Sequence, residues 1–261
     1  PFFNAPDKTI HKLEKMFCDA KKADLVVLPE LANSGYHFSS AKEAGMCAED
    51  VHDSRFIDFL KKTAQKNDQL IVSGFNEREG AELFNSAVLV DKNGLQGKYR
   101  KLHLFKKEKQ YFKPGNLGLP LFLAEKFKIG MLVCFDWMFP ETWRLLAMKG
   151  ADIICAPSNL VLPGKAQKAI PVHAMINRIF IALANRTGRE GDLQFTGNSL
   201  IAGPEGEILG EGNPADEQVI FADIEINRAK DKWITPENHA FPDIRKDVYK
   251  LKTLRHWKVV Q

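Results

Sequence analysis

The stretch Ile129-Gly-Met-Leu-Val-Cys134, followed by Phe135-Asp-Trp-Met-Phe-Pro-Glu141, predicts a buried strand that turns directly into a helix. The first six residues form a short run rich in aliphatic side chains, which is typical of a buried strand. Pro140 and Glu141 favour the first turn of a helix. Cys134 is therefore expected at a strand-to-helix elbow, where the helix N-terminus would favour the reactive thiolate. The alternative is a core cysteine that serves only as a small hydrophobic residue.

Helical and strand patterns alternate along the rest of the chain. Apolar residues at helical spacing predict helices near 10–20, 56–60, 143–147 and 166–177. Strands are predicted at 25–28, 70–74, 85–90, 95–101, 153–156, 179–184 and 219–223, with hairpin turns at 91–94 and 204–206. The alternation indicates a layered α/β fold, and the hairpins indicate that its sheets are mixed.

Composition limits the class of protein. A chain of 261 residues with 44% hydrophobic residues can bury a full core, and no linker divides it, so we expect residues 1–261 to form one domain. The net charge is only +4, and the basic residues are interspersed with acidic ones, which disfavours nucleic-acid binding. Basic residues concentrate at 245–258, inside an expected C-terminal tail of about 232–261. We interpret them as a solvated or partner-covering arm.

The cysteines bear on compartment and on metal binding. They stand at positions 18, 47, 134 and 155, far apart and without metal-site spacing, so we expect reduced thiols and no metal. The chain shows no membrane-spanning run and no signal peptide, which makes a cytoplasmic protein without membrane contact the expectation. Because the chain opens at Pro1 without a methionine, we expect native residues before it.

Polar residues follow three of the predicted strands. Glu30 comes after the strand at 25–28, Lys101 ends a hairpin strand, and Cys134 ends its own strand. Separately, Glu30 could be a turn carboxylate, Lys101 a surface charge and Cys134 a core thiol. Because ligands of α/β proteins bind at the carboxyl ends of strands, the three side chains together indicate one site.

At these positions the chain resembles the nitrilase, or carbon–nitrogen hydrolase, superfamily. The resemblance is carried by Leu28-Pro-Glu-Leu-Ala-Asn-Ser-Gly-Tyr36, by Tyr99-Arg-Lys-Leu-His-Leu-Phe105 and by Val133-Cys-Phe-Asp-Trp-Met-Phe-Pro-Glu141. Further matches lie at 85–86, 112–116, 150–154 and 177–185, in family order over nearly the whole chain. Family members normally begin with a strand before the first helix, and we expect that strand to precede residue 1.

The resemblance implies a four-layer α-β-β-α sandwich with two mixed sheets, usually paired through its helices into homodimers. It also implies a catalytic triad, which carries over to Glu30, Lys101 and Cys134. Glu108 matches a second glutamate found in much of the family, although a glutamate among lysines would otherwise be part of a solvated charge run. No metal or organic cofactor is implied.

The roles that the resemblance implies agree with the residue types. Glu30 would accept the thiol proton, and Cys134 would attack an electrophilic carbon. Lys101 and the backbone N–H of Phe135 would stabilise the oxyanion. Candidates to line the substrate pocket are Tyr36, Phe135, Trp137, Phe139 and Asn159, although Tyr36, Trp137 and Phe139 could also pack in the core. His103 and His173 are expected to be structural or surface residues.

Three functions follow as hypotheses. The first is an amidase that hydrolyses a small aliphatic, omega-amide or N-carbamoyl substrate and releases ammonia or an amine. The second is a nitrilase that uses the same residues on a small nitrile. The third is a catalytically silent binding or assembly protein that keeps the fold. A redox role for Cys134 would require a resolving cysteine, and none lies close in sequence.

Overall fold

The computed structural model describes residues 1–124, 127–245 and 247–248. Its helices are α1 (Pro6–Asp19), α2 (Ala41–Met46), α3 (Arg55–Asn67), α4 (Glu108–Tyr111), α5 (Pro140–Met148) and α6 (Lys165–Asn177). Its longer strands are β1 (Leu25–Val27), β2 (Leu70–Glu79), β3 (Glu82–Asp91), β4 (Gly94–Arg100), β5 (Leu121–Ala124), β6 (Phe127–Met131), β7 (Ile153–Ser158) and β8 (Phe180–Asn185). Short strands follow at β9 (Arg189–Glu190), β10 (Leu193–Gln194), β11 (Leu200–Ala202) and β12 (Ile208–Glu211), and 3₁₀ helices cover Cys134–Met138 and Ile226–Ala229.

Two mixed sheets form the centre of the molecule. The first has the order β1-β2-β3-β4, in which β1 and β2 are parallel and the other pairs are antiparallel. The second has the order β12-β11-β8-β7-β6-β5, with β6, β7 and β8 parallel to one another. A separate small hairpin joins β9 to β10. The prediction of mixed α/β sheets is confirmed.

The layers follow from side chains that alternate between the two faces of each strand. In β2, Ile71 packs in the cluster with Phe17 of α1 and Phe56 of α3, on the outer face of the first sheet. Its neighbour Val72 packs in the other cluster, against residues of the second sheet such as Met131. Side chains of α5 and α6 complete that cluster from the far side. The order of layers is therefore α-β-β-α, as predicted.

Two strand predictions differ from the structure. The strand predicted at 129–134 ends at Met131, although the Leu132 N–H still donates to the Cys155 carbonyl oxygen at 3.1 Å. The chain leaves the sheet there because Cys134 adopts a left-handed conformation, with φ of 46°. Residues 219–223 belong to the described part of the chain and form no strand; the Phe221 carbonyl oxygen lies close to Gly210, but no regular ladder of hydrogen bonds joins the two segments.

The C-terminal region and the helices can be compared with the expectations of a basic tail and of no membrane-spanning segment. Residues 246 and 249–261, which hold most of the expected basic tail, lie outside the described residues. The described residues from 232 onward are largely irregular, with one bridge between Trp233 and His239. Within the described ranges, no helix has the length and apolar character needed to cross a membrane.

Candidate active site

Glu30 lies in the turn after β1, and its side chain is completely buried. This turn packs so closely on β2 that a Cβ atom at Gly74 would lie 2.3 Å from the Glu30 Cα atom. The Glu30 Oε1 atom accepts hydrogen bonds from Asn85 Nδ2 at 2.7 Å and from Lys101 Nζ at 2.6 Å. Its second oxygen, Oε2, is buried without a hydrogen-bond partner among the described residues, so it is available to accept a proton.

Lys101 follows β4 directly and is also completely buried. Its main-chain N–H donates to the Asn85 carbonyl oxygen at 2.8 Å, which extends the pairing of β3 with β4 by one residue. Its Nζ atom lies 2.9 Å from both carboxylate oxygens of Glu108. Burial opposes the charge of Lys101, but Glu108 and Glu30 outweigh burial and raise the pKa of the ammonium well above its usual range. Lys101 is therefore a fixed cation at neutral pH.

Glu108 begins the short helix α4 and is buried, although the sequence places it among lysines. The Tyr36 hydroxyl donates to Glu108 Oε1 at 2.6 Å, and the Phe105 N–H donates to Oε2 at 3.1 Å. Burial raises the pKa of the Glu108 carboxyl, although the Lys101 ammonium acts in the opposite direction. The alternative of a solvated charge run is therefore wrong for Glu108.

Cys134 is the first residue of the 3₁₀ helix Cys134–Met138 and is buried. Its positive φ is unusual for a residue with a side chain. Such a conformation is strained and persists only where the surrounding structure holds it. Burial, and then the Glu30 carboxylate, raise the pKa of the thiol well above its usual range, while Lys101 lowers it in part. We expected a helix N-terminus to favour the thiolate; burial and Glu30 outweigh that effect, so the resting sulfur is protonated at neutral pH.

The four predicted polar residues thus meet at one place between the two sheets. Lys101 bridges Glu30 and Glu108, and the electrostatic effects of all three groups reach the Cys134 thiol. The described residues contain no group of three or more His, Cys, Asp or Glu side chains that could hold a metal ion. The arrangement offers a protonated nucleophile, an unoccupied carboxylate oxygen and a fixed cation, which are the groups that acyl transfer requires.

A family model of carbon-nitrogen hydrolases matches residues 3–232. The chain belongs to the carbon-nitrogen hydrolase family. It is 42% identical to a protein named nitrilase from Pyrococcus abyssi, over 94% of each chain. It is 32% identical to a 2-oxoglutaramate amidase from Bacillus subtilis, over 95% of each chain.

A solved structure supports the same family. It is a glutamate-to-glutamine mutant of the amidase from Nesterenkonia sp. AN1, with a TM-score of 0.74 and 26% identity, over 87% of this chain and 88% of the other. That structure shows covalent addition of the acetamide moiety of fluoroacetamide at the active-site cysteine of the amidase. The chain described here is accordingly a carbon-nitrogen hydrolase with the α/β fold of its family.

The predicted pocket residues of this carbon-nitrogen hydrolase fall into two groups. Tyr36 contacts Glu108 directly, and Asn159 donates through Nδ2 to the Glu30 carbonyl oxygen at 2.9 Å while its Oδ1 atom has no partner among the described residues. Phe135 and Phe139 belong to a half-buried aromatic cluster, with ring centroids 5.5 Å apart. Trp137 packs in the core cluster between the sheets and α6. Their contact with substrate stays a prediction.

Sequence reasoning missed three residues that support the site. Asn85 enters the sequence analysis only as part of a family match, yet it holds Glu30 through its side chain and Lys101 through its main chain. Tyr99 and Asp136 stand inside the family motifs, where the sequence indicates no role for them, and the Tyr99 hydroxyl donates to Asp136 Oδ2 at 2.7 Å. The available signal for Tyr99 and Asp136 was their position two residues from Lys101 and from Cys134, respectively.

Proposed function

We propose that the protein hydrolyses the C–N bond of a small amide through a thioester on Cys134. The observation that carries the proposal is the buried row of ion pairs from Glu30 through Lys101 to Glu108, next to a protonated thiol. Within the described residues, Glu30 Oε2 has no hydrogen-bond partner. A carboxylate with a free oxygen can take the thiol proton at the moment of attack, so a preformed thiolate is not needed. In this proposal Glu30, Lys101 and Cys134 are catalytic, and Glu108 holds Lys101 and the attacking water.

The first half-reaction forms the thioester. The Cys134 proton moves to Glu30 Oε2 while the sulfur bonds to the amide carbon, and the carbonyl π electrons move onto oxygen. Lys101 Nζ and the Phe135 N–H stabilise this oxyanion, and donors of this kind are each worth about 3 to 4 kcal/mol. As the oxyanion collapses, the C–N bond breaks, and Glu30 returns its proton to the leaving ammonia or amine.

The second half-reaction releases the acid. Glu30 accepts a proton from water, whose oxygen adds to the thioester carbon, and Lys101 again stabilises the oxyanion. The C–S bond then breaks, and the sulfur regains the proton from Glu30. Because Lys101 keeps its charge through a raised pKa, both oxyanions meet the same fixed cation. No step needs a metal or an organic cofactor.

Hydrolysis is tested by ammonia release from a panel of small amides that includes 2-oxoglutaramate, acetamide-type amides and N-carbamoyl amines. We expect the wild-type protein to release ammonia and Cys134→Ala to release none above buffer. Cys18→Ala is the matched control, because Cys18 is an exposed thiol on α1, and it should keep full activity. Equal background from wild type and Cys134→Ala on every substrate would contradict the proposal.

A nitrilase is the second candidate, because a relative of that name is similar over nearly the full length. The same residues would add a nitrile to Cys134 and then consume two waters. Amides and small nitriles offered separately, with ammonia and acid measured, separate the two functions. The catalytically silent alternative predicts no acyl adduct on Cys134 with any reactive amide or ester, which intact-mass measurement decides.

A further inference from the structure

Asp136 is a buried carboxylate two residues after Cys134, and the proposed chemistry does not use it. Its side chain is completely buried in the 3₁₀ helix that begins at Cys134. A buried carboxylate is costly unless every acceptor position is filled. Both oxygens of Asp136 are filled twice, so its partners show what the residue does.

The partners come from both sides of the site. Asp136 Oδ2 accepts from the Val133 N–H at 3.0 Å, at the nucleophile elbow, and from the Tyr99 hydroxyl at 2.7 Å, in β4. Asp136 Oδ1 accepts from the His103 N–H at 3.0 Å and lies 2.8 Å from His103 Nδ1. One carboxylate therefore joins the residue before Cys134 to the residues on both sides of Lys101.

The turn that carries Lys101 is wrapped around this carboxylate. The Tyr99 hydroxyl, which donates to Asp136, also accepts from the Leu102 N–H at 3.2 Å. Tyr99 and His103 are thus hydrogen-bonded to Asp136 directly, and Leu102 through the Tyr99 hydroxyl. Lys101 lies between these residues in the sequence. The His103 ring is also stacked on Phe139, with centroids 3.5 Å apart, which joins the turn to the end of the same 3₁₀ helix.

Only a carboxylate fits this set of partners. The Val133 and His103 N–H groups and the Tyr99 hydroxyl are donors, and the contact at His103 Nδ1 is satisfied when that nitrogen carries its proton. An asparagine would turn its NH₂ group, itself a donor, toward the two donors on one side of the residue. Those two buried donors would then have no acceptor. Asp136 can therefore be tested by a change of nearly equal size.

We propose that Asp136 is a positioning residue that fixes the Cys134 elbow and the Lys101 turn in one arrangement. The inference rests on the proposed function for its catalytic consequence. Asp136 does not contact the substrate; it keeps the Lys101 ammonium where the oxyanion forms when the Cys134 sulfur attacks. The positive φ of Cys134 is a strained conformation that its surroundings must hold. The hydrogen bond from the Val133 N–H to Asp136 provides part of that support, because it fixes the residue before Cys134.

The test compares Asp136→Asn with Asp152→Asn. Asp152 is a buried carboxylate that accepts from the Lys128 N–H at 2.8 Å, at the opposite end of β7 from the site. We expect Asp136→Asn to lower kcat by about 100-fold with KM changed less than about threefold, since the loss falls on the oxyanion stage. Asp152→Asn should keep kcat within about twofold of wild type, because Asp152 is remote from the reacting groups.

A second measurement separates positioning from loss of fold, and it needs no substrate. If Lys101 moves away from Cys134, the thiol becomes harder to ionise, and alkylation by iodoacetamide at pH 9 should slow about tenfold. Partial unfolding would expose the thiol and make alkylation faster. The inference is overturned if folded Asp136→Asn keeps kcat near wild type, or if its alkylation is unchanged or faster. If wild type hydrolyses no amide or nitrile, the proposed function fails and the alkylation result still decides the inference.

A double-mutant cycle with Tyr99→Phe checks the route of the effect. The Tyr99 hydroxyl joins Asp136 to the Lys101 turn, so Tyr99→Phe should lower kcat by about tenfold, as expected for the loss of one buried hydrogen bond. In the Asp136→Asn background the same change should cost much less, because the two residues act as one unit. Fully additive losses would show that Asp136 does not act through Tyr99.

Discussion

At the scale of single residues, the charge of Glu30 opposes the ionisation of Cys134. Burial raises the pKa of the Cys134 thiol most, the negative charge of Glu30 raises it further, and Lys101 lowers it in part. The thiol therefore stays neutral at pH 7, because its pKa lies above that of an ordinary cysteine. Removing the charge of Glu30 leaves Lys101 beside the sulfur, so the thiol pKa must then fall.

Glu30→Gln should therefore separate ionisation from catalysis. We expect the thiolate absorbance of Cys134, measured as the difference from a Cys134→Ala protein in the same background, to appear at lower pH in Glu30→Gln than in wild type. Amide hydrolysis should nevertheless fall by at least about 100-fold, because the general base and acid is lost. A thiol that titrates at the same or higher pH in Glu30→Gln would refute this account of the charges.

The residues of the site were predictable to different degrees. Glu30, Lys101 and Cys134 each follow a strand in the sequence, and that position was sufficient to expect them together. Asp136 gave no such signal, since its role depends on the Tyr99 hydroxyl and the His103 N–H, which meet it only through the fold. The protonated state of Cys134 was also hidden, because burial and the approach of Glu30 are three-dimensional quantities.

At the scale of secondary-structure elements, the close approach of β2 to the Glu30 turn positions the base. The Gly74 N–H donates to the Pro29 carbonyl oxygen at 3.1 Å, and the Gly74 carbonyl accepts from the Ala32 N–H at 3.1 Å. Atoms of Pro29, Glu30 and Leu31 lie within 2.6 Å of where a Cβ atom at Gly74 would stand. Only a residue without a side chain fits between this strand and this turn.

Gly74→Ala should displace the Glu30 turn. We expect a loss of about 1 to 3 kcal/mol in the free energy of unfolding, as for overpacked sites. We also expect kcat to fall by more than the fraction of unfolded protein accounts for. Gly45→Ala in α2 is the control, because the nearest atom to its added Cβ lies at 3.6 Å, and alanine favours a helix by up to about 1 kcal/mol. Thermal unfolding and ammonia release measure both effects. Wild-type values for Gly74→Ala would contradict the steric account.

Element boundaries were less predictable than element types. The aliphatic run 129–134 was expected to be one strand, but β6 ends at Met131 because the chain turns to place Cys134. The apolar pattern at 219–223 also predicts a strand, although those residues form no ladder of hydrogen bonds. Residues 132–134 are buried without strand pairing, whereas residues 219–223 are half-buried or exposed. Hydrophobic pattern alone does not distinguish either segment from a strand.

At the scale of the whole molecule, the outer face of α5 and α6 carries exposed apolar side chains. Arg144 of α5 donates to the Ile176 carbonyl oxygen of α6 at 2.9 Å, so the two helices form one surface. Six side chains on these helices and on the preceding 3₁₀ helix are between 39% and 48% exposed: Met138, Leu145, Met148, Val172, Met175 and Ile176. Apolar residues grouped in this way mark a contact surface.

We propose that a second copy of the chain covers this face, in agreement with the pairing through helices that the family resemblance implies. The 3₁₀ helix that begins at Cys134 ends at Met138 and leads into α5, so pairing would also brace the nucleophile elbow. Leu145→Glu places a charge on the face and should give monomers by size-exclusion chromatography with light scattering, with lower activity and lower thermal stability. Leu123→Glu is the control, because Leu123 is 74% exposed on β5 and lies outside this face; it should stay dimeric. A monomeric wild type at micromolar concentration would rule out the pairing.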